Sequence, residues 1–325
     1  MAATLLLAVL IVWLGGDFTY SRVIDYRLNK REAAIRRDDD GVRQGCHAYT
    51  VGEADTALLM IHGFADSPAM FRNMASSLAD RGFACRAMRL PGFAEPMEQY
   101  ALSNRDAWTD AVREELRILR STHSSVVVVA HSLGATIVID HLLKHPHDAD
   151  GVVLICPLIE VSRRRSPVLS PEQWYRLAAS IALFTDVVES RFQPDVHASP
   201  PEDYPGSNPF VPVPLYGELF ALLREVHDRR AEFRVPMLMV LSRDDKVTDP
   251  CAAEFFFHES SSIVKRIHYV EEAGHVVPLE SGWEDVVVEV ERFVNIVANP
   301  PSPPGRLPTH ALELDPSDEA EVVLR

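Results

Sequence analysis

The run "SVVVVAH", Ser125 to His131, constrains the fold more than any other stretch of the chain. Val126 to Val129 show no alternation of apolar and polar residues, which is the pattern of a strand covered by helices on both faces. A helical pattern from Leu133 to His145 follows and is stopped by Pro146, and then comes a second apolar run, "GVVLICP". The same rhythm precedes it. "TALLMIHG" reads as a strand ending at glycine. "SPAMFRNMASSLADRG" sets Met70, Met74 and Leu78 on one helical face, with Ser67 as N-cap, Pro68 at the first helical position and Gly82 as the stop. The strand "FACRAMRL" and the helix "RDAWTDAVREELRILRST" complete this half. Further along, the strand "VPMLMVLS", a helix over Ala252 to His258, the strand "IVKRIHYV" and a helix from Trp283 to Val297 repeat the order. Strands separated by single helices require crossovers, so the fold class is α/β with a mostly parallel sheet.

Between residues 158 and 233 the rhythm breaks into proline-rich and aromatic stretches, with helices expected around Trp174 to Val188 and Leu215 to Arg229. That is longer than a strand-to-helix connection needs, so the segment is expected to cover something as a helical cap. Trp174, Phe184, Phe210, Leu215, Phe220 and Leu223 either line an apolar pocket beneath it or pack its interior. Residues 43–157 and 234–298 then form the core, and 299–325 form a proline-rich, acidic tail expected to be mostly disordered. With 47 Asp+Glu against 32 Lys+Arg, the net charge of −15 repels polyanions, and no basic stripe offsets it. A nucleic-acid partner is excluded on that ground. Cys46, Cys85, Cys156 and Cys251 lie far apart and form no C-x-x-C pair, which is not a disulfide framework.

The first twenty residues, "MAATLLLAVLIVWLGGDFTY", carry one charged side chain, Asp17. A secretory signal wants a basic start and a small-residue cleavage site, and this segment has neither. The apolar centre, Leu5 to Leu14, suits a buried core helix, whereas the whole stretch suits a membrane anchor of about 20 residues. The anchor reading over 1–20 draws support from the charged linker 21–42, which holds Arg22, Arg27, Lys30, Arg31, Arg36 and Arg37. A basic flank on that side places the main domain in the cytoplasm, at the membrane.

Chemistry concentrates where "VVVVAH" meets "SLGAT". Ser132 follows the buried strand directly and precedes a helix, the context of a nucleophile elbow, with small residues Ala130 and Gly134 two before and two after. Ala130 stands where glycine is usual. Taken alone, Ser132 is equally well a helix-starting serine. A serine hydroxyl becomes nucleophilic when a histidine takes its proton, and that histidine needs an acid to hold its tautomer. The strand "MLMVLS" is followed by "RDDKVTDP" and the strand "IVKRIHYV" by "EEAGHVVPLE", so Asp244 or Asp245, and His275, lie at strand C-terminal ends where parallel sheets place ligand sites. Two donors for an oxyanion are then expected from the amides of Leu133 and of Phe64 in "MIHGFADS". His62 reads as a loop-organising residue.

These segments together resemble the α/β-hydrolase family of carboxylesterases and monoacylglycerol lipases, in its serine-aminopeptidase-like branch. "HGFADSPAMFRNMASSLADRGFACRAMRLPGF" resembles the family's oxyanion loop, first helix and following turn. "AHSLGA", "SRDDKVTDP" and "EEAGHVVPLE" resemble its nucleophile, acid and histidine segments, over about Ala57 to Val297 without the insertion. In that family the acid stands three residues after a glycine. Ser242 replaces the glycine here, and the count gives Asp245. Phe93 also departs, standing where histidine or a small residue is frequent. The resemblance implies a serine hydrolase of carboxylic acyl esters, with monoacylglycerols or short-chain esters as the substrate class, working through Ser132, Asp245 and His275 with no metal or cofactor. Thioesterase, lactonase and peptidase activities use the same triad, and a non-catalytic scaffold on a hydrolase frame is the reading from another class.

Three remaining features have blander readings. His141 and His145, four apart on a helix, lack a third ligand at metal-site spacing, and Lys144 and His145 read as complementing a helix C-terminus. Arg163 to Arg165 either meet lipid headgroups or form a solvated loop. The acidic tail either recruits a partner or keeps the chain soluble.

Overall fold

The non-alternating valine run becomes the central strand of a twisted sheet in the computed structural model, which describes residues 1–166, 168–190, 195–202 and 204–298. In chain order the elements begin with α1 (Ala2–Glu32), β1 (Tyr49–Val51), β2 (Thr56–Ile61), α2 (Arg72–Asp80) and β3 (Ala84–Met88). There follow α3 (Met97–Leu102), α4 (Arg105–Thr122), β4 (Ser125–His131), α5 (Leu133–Lys144) and β5 (Gly151–Ile155). The insertion supplies α6 (Pro171–Ile181), β6 (Val187–Glu189), β7 (Phe210–Pro212) and α7 (Val213–Arg229), and the chain then returns to the core through β8 (Met237–Ser242), α8 (Pro250–Glu259), β9 (Lys265–Val270) and α9 (Trp283–Ala298).

The sheet order is β1-β3-β2-β4-β5-β8-β9, parallel throughout except for β1, which pairs antiparallel at the edge. Side chains alternate across it. Leu59, Ile61, Val126 and Val128 point into one layer with α4, α5 and α7, while Leu58, Met60, Val127 and Val129 point into the other with α2 and α9. Every residue of β4 is buried. Burying one valine contributes about 1.5–3 kcal/mol, so this double coverage is what secures the central strand.

Four local expectations need correction. Ser67 occupies the N-cap position but makes no side-chain cap; its amide bonds the Asp66 carboxylate instead, and Pro68–Phe71 form a tight 3-10 turn before α2. The expected helix over Trp174 to Val188 stops at Ile181, because the Leu183 and Phe184 amides turn away to the carboxylate of Asp17. Val187 and Val188 pair with β7 as a short strand. The linker 21–42 is not a linker over its first part, since α1 continues without a break to Glu32 and buries Ile24 and Leu28 beside Phe210. The apolar end of that helix is no core helix: Leu5 to Leu7 and Val9 to Val12 are 43–74% exposed. It is long and apolar enough to cross a membrane. The tail 299–325 lies outside the described residues.

Candidate active site

Ser132 sits between β4 and α5 with φ 53° and ψ −117°, a backbone conformation that side-chain-bearing residues rarely adopt. Its surroundings over-determine that strain. The Ser132 amide donates to the Ile155 carbonyl at 3.0 Å, and the Ser132 carbonyl accepts the Leu158 amide at 3.2 Å. Gly134 lets the first turn of α5 lie against the end of β2, for a Cβ there would stand 2.6 Å from the carbonyl oxygens of both Ile61 and His62. Gly63 is equally constrained, since a Cβ would meet His131 Nδ1 at 2.8 Å. The two glycines therefore bring the oxyanion loop and the elbow together.

Ser132 Oγ and His275 Nε2 lie 2.9 Å apart, and His275 Nδ1 lies 2.8 Å from Asp245 Oδ2. All three side chains are buried. Asp245 also accepts the amides of Val247 and Thr248 at Oδ1 and the Thr248 hydroxyl at Oδ2, at 2.6–2.9 Å. Burial pushes its carboxyl up, but the neighbouring His275 and the Thr248 hydrogen bonds outweigh it and hold the group at about 2. A fixed anion thus faces Nδ1, which sets the tautomer that leaves Nε2 free to take the serine proton. Asp244, the other sequence candidate, is exposed. The Ser242 hydroxyl explains the departure from glycine: it donates to the Ala273 carbonyl and accepts the Asp244 amide, tying the acid loop to the histidine loop.

The Leu133 amide is the first of α5 and has no acceptor within the helix. Phe64 lies half-buried in the facing loop. His62 holds that loop, its Nδ1–H donating to the Gly63 carbonyl at 2.9 Å and its Nε2 accepting the Leu90 amide at 3.1 Å. Burial lowers it to about 4, so it stays neutral. Phe93 fills the space behind, with ring contacts to His62, Phe64, Tyr100 and Trp108. The aromatic ring at that departure packs the base of the loop.

A chain with this elbow and relay has relatives. The family model described as serine aminopeptidase, S33, matches residues 52–282. The chain belongs to that hydrolase family. The carboxylesterase of Bacillus subtilis (strain 168) is 24% identical over 249 residues, covering 76% of this chain and 95% of the relative. The thermostable monoacylglycerol lipase of Bacillus sp. (strain H-257) is 23% identical over 239 residues, covering 74% and 90%. Among solved structures, one of the metagenome-derived lipolytic enzymes LipS and LipT superposes with a TM-score of 0.69 at 21% identity, covering 78% of this chain and 99% of that one. The monoacylglycerol lipase of Paleococcus ferrophilus gives 0.65 at 18% identity, covering 77% and 98%. The fold is the α/β-hydrolase fold.

Within this S33 frame, the insertion does something the sequence reading missed: it clasps each loop of the site. Val161 bridges to Thr248, and the Arg164 guanidinium donates to the carbonyls of Asp245 and Arg243 at 3.2 Å, so Arg164 braces the acid loop. The Asp195 carbonyl accepts the His275 amide at 2.7 Å, and its carboxylate accepts the Lys246 amide at 2.9 Å. Glu280, buried, accepts the amides of Gly274, His197 and Ala198 at 2.6–2.8 Å. Tyr204 donates to the carboxylate of Asp66, which burial raises to about 6, and the Asn208 amide bonds the Ala65 carbonyl. His131, buried and lowered to about 3 by burial and by His275, donates from Nε2 to the His275 carbonyl at 2.9 Å. The "AH" before Ser132 was the available signal for that contact.

Of the six cap residues named from sequence, Phe210, Leu215, Phe220 and Leu223 are buried, whereas Trp174 and Phe184 are each 46% exposed. His141 pairs with Asp148 at 2.8 Å, and Lys144 with Asp140 at 2.9 Å. Among the described residues, Cys156, Asp245 and His275 have ligand atoms within 4.8 Å of one another. The Asp245–His275 hydrogen bond already uses two of those groups, so the set fits the relay rather than a cation. The four cysteines are free thiols, three of them buried.

Proposed function

We propose that the protein is a serine hydrolase of carboxylic acyl esters, held at a membrane by the apolar end of α1 with its hydrolase domain on the cytoplasmic side. The observation that carries the catalytic reading is the relay itself: hydroxyl, imidazole and carboxylate joined at 2.9 and 2.8 Å on a strained elbow. His275 Nε2 takes the Ser132 proton as Oγ attacks the ester carbonyl, and the negative oxygen of the tetrahedral intermediate is held by the amides of Phe64 and Leu133. The intermediate collapses, the alcohol leaves with the proton from Nε2, and Ser132 is left acylated. Water then repeats the sequence through the same base and releases the acid. Asp245 stays ionised and stabilises the imidazolium.

The acyl side is apolar and aromatic. Phe64 contacts Tyr216 at 5.7 Å between ring centroids, Tyr216 contacts Tyr175 at 6.3 Å, and Tyr175 contacts Phe220 at 5.6 Å, a row that leads from the oxyanion loop into the cap. This row favours an ester with an apolar acyl chain. The test is a fluorophosphonate probe on folded protein together with p-nitrophenyl esters of increasing chain length, an acyl thioester and an aminoacyl anilide. Labelling that vanishes in Ser132→Ala, with ester turnover ahead of the other substrates, is the expected result. Wild type that is folded yet unlabelled overturns the mechanism.

A further inference from the structure

Asp17 is the one charged residue in the first twenty, and it does not stand free at the end of an apolar helix. Its carboxylate accepts the amides of Leu183 and Phe184 at 2.7 and 2.8 Å and the Thr185 hydroxyl at 2.6 Å. The contact continues along α1. Phe18 stands edge-on to Phe184 at 5.6 Å, the Ser21 hydroxyl donates to the Phe184 carbonyl at 2.6 Å, Arg27 pairs with Glu189 at 2.8 Å and Arg31 donates to the Ser207 carbonyl at 3.0 Å. The Tyr20 phenol is near enough to Tyr216 to add to the effect of burial in pushing that phenol up to about 12. From Asp17 to Arg31 the helix is therefore part of the cap, and from Val12 back to Leu5 its apolar side chains are exposed.

The cap surface beside this junction is apolar and uncovered. α6 has no buried residue, and Trp174, Leu177 and Ile181 recur along one face at helical spacing, 44–46% exposed. Leu183 and Phe184, 59% and 46% exposed, extend the patch up to the Asp17 carboxylate. The other side of α6 turns inward, with Tyr175 against Phe220. A patch of this kind on a soluble surface marks an interaction site. Here Phe18, edge-on to Phe184, and the Asp17 hydrogen bonds join it to the end of α1 whose Leu5 to Val12 side chains are exposed, so the two apolar surfaces are held in one unit.

We propose that α1 and the cap form a single lipid-facing surface, locked by Asp17, in which α6 lies in the interface of the bilayer that receives the apolar end of α1. This rests on the membrane-anchoring reading and adds to it that the cap itself touches lipid. The aromatic row from Tyr175 to Phe64 then opens beside the bilayer rather than toward bulk water.

The test uses the full chain in a Cys251→Ser background with a nitroxide at Leu177→Cys, at Ile181→Cys, or at Ile118→Cys on α4 as a control, reconstituted with phosphatidylcholine/phosphatidylglycerol vesicles. The protein is expected to float with the vesicles. The labels on α6 should then be more accessible to dissolved oxygen than to a water-soluble nickel chelate, and the control label the reverse. Asp17→Asn should keep the protein on the vesicles and abolish that preference on α6. Protein that floats while the α6 labels match the control overturns the inference and leaves anchoring intact. Protein that does not float overturns both. Protection of α6 in lipid-free buffer together with a doubled mass by light scattering assigns the face to a second copy and overturns the bilayer as its occupant. The wild-type comparison decides the question even where circular dichroism shows that Asp17→Asn is unfolded.

Discussion

β4 and α6 are held in opposite ways. All of β4 is buried between two helical layers, and its register is set by strands on either side. α6 buries none of its residues, and the insertion to which it belongs is joined to the site through hydrogen bonds: Arg164 to the acid loop, Asp195 and Glu280 at the histidine loop, Tyr204 and Asn208 at the oxyanion loop. Apolar burial is non-directional and large in sum, whereas a hydrogen bond contributes about 0.5–1.5 kcal/mol net but specifies direction. The core therefore supplies stability. The insertion adds to that core through α7, whose Leu215, Leu219, Leu222 and Val226 are buried, while its segments before β7 supply aim, fixing where three loops from different strands stand relative to one another.

The sharpest way to separate these roles is to remove chemistry without touching either. Ser132→Ala should lower ester turnover by at least about 10³-fold with an unchanged unfolding midpoint. Asp245→Asn comes next, with a loss on the order of 10³–10⁴ in turnover because the amide no longer fixes the His275 tautomer; retention of near wild-type rates would mean that Asp245 is not the acid. A core change acts on packing and chemistry together. Gly134→Ala drives a methyl into two carbonyl oxygens and should cost about 1–3 kcal/mol in denaturant unfolding as well as activity.

The pH dependence tests the loops between core and cap. His62 and His131 are kept neutral in the folded chain, lowered to about 4 and about 3 chiefly by burial. The unfolded chain takes up their protons below about pH 6.5, so their contribution is complete above that pH and is lost as pH falls toward 4 for His62 and toward 3 for His131. Each should cost about 2 kcal/mol at pH 5, read as a falling unfolding free energy between pH 7 and 5. Asp66 works with the opposite sign, since its raised carboxyl favours the folded state below about pH 4 and loses that contribution as pH rises through 6. The smallest effect belongs to the cap. Tyr204→Phe removes one tether at Asp66 and should cost about 1 kcal/mol, while proteolysis within residues 195–208 quickens. A fall in stability as large as that of Gly134→Ala would erase the distinction between the two regions.

Much of the geometry of the candidate site was legible in order and spacing. A strand without alternation had to be covered on both faces, which implied parallel neighbours, crossover helices and sites at strand C-terminal ends; Ser132, Asp245 and His275, which the structure brings within hydrogen-bonding distance, were candidates because each follows such a strand. The contacts of Asp195 and Tyr204, and those of Glu280 with His197 and Ala198, were not, because one partner of each lies in an irregular, proline-rich segment whose polar residues carry no period, and the other lies between 51 and 138 positions away in the chain. Asp17 makes the same point at the other end. In sequence it was an isolated charge in an apolar helix, and nothing local distinguishes a lipid-facing defect from a clamp.

What the sequence determined by itself is the part governed by periodic burial and by short-range backbone demands: the sheet, its helices, the glycines that let the elbow close, and the residue types at three strand ends. How those ends are held and where the N-terminal helix goes are set by contacts made only in the folded chain. Such choices depend on directional bonds between segments far apart in the chain, and a directional bond is written only when both partners have been brought into place.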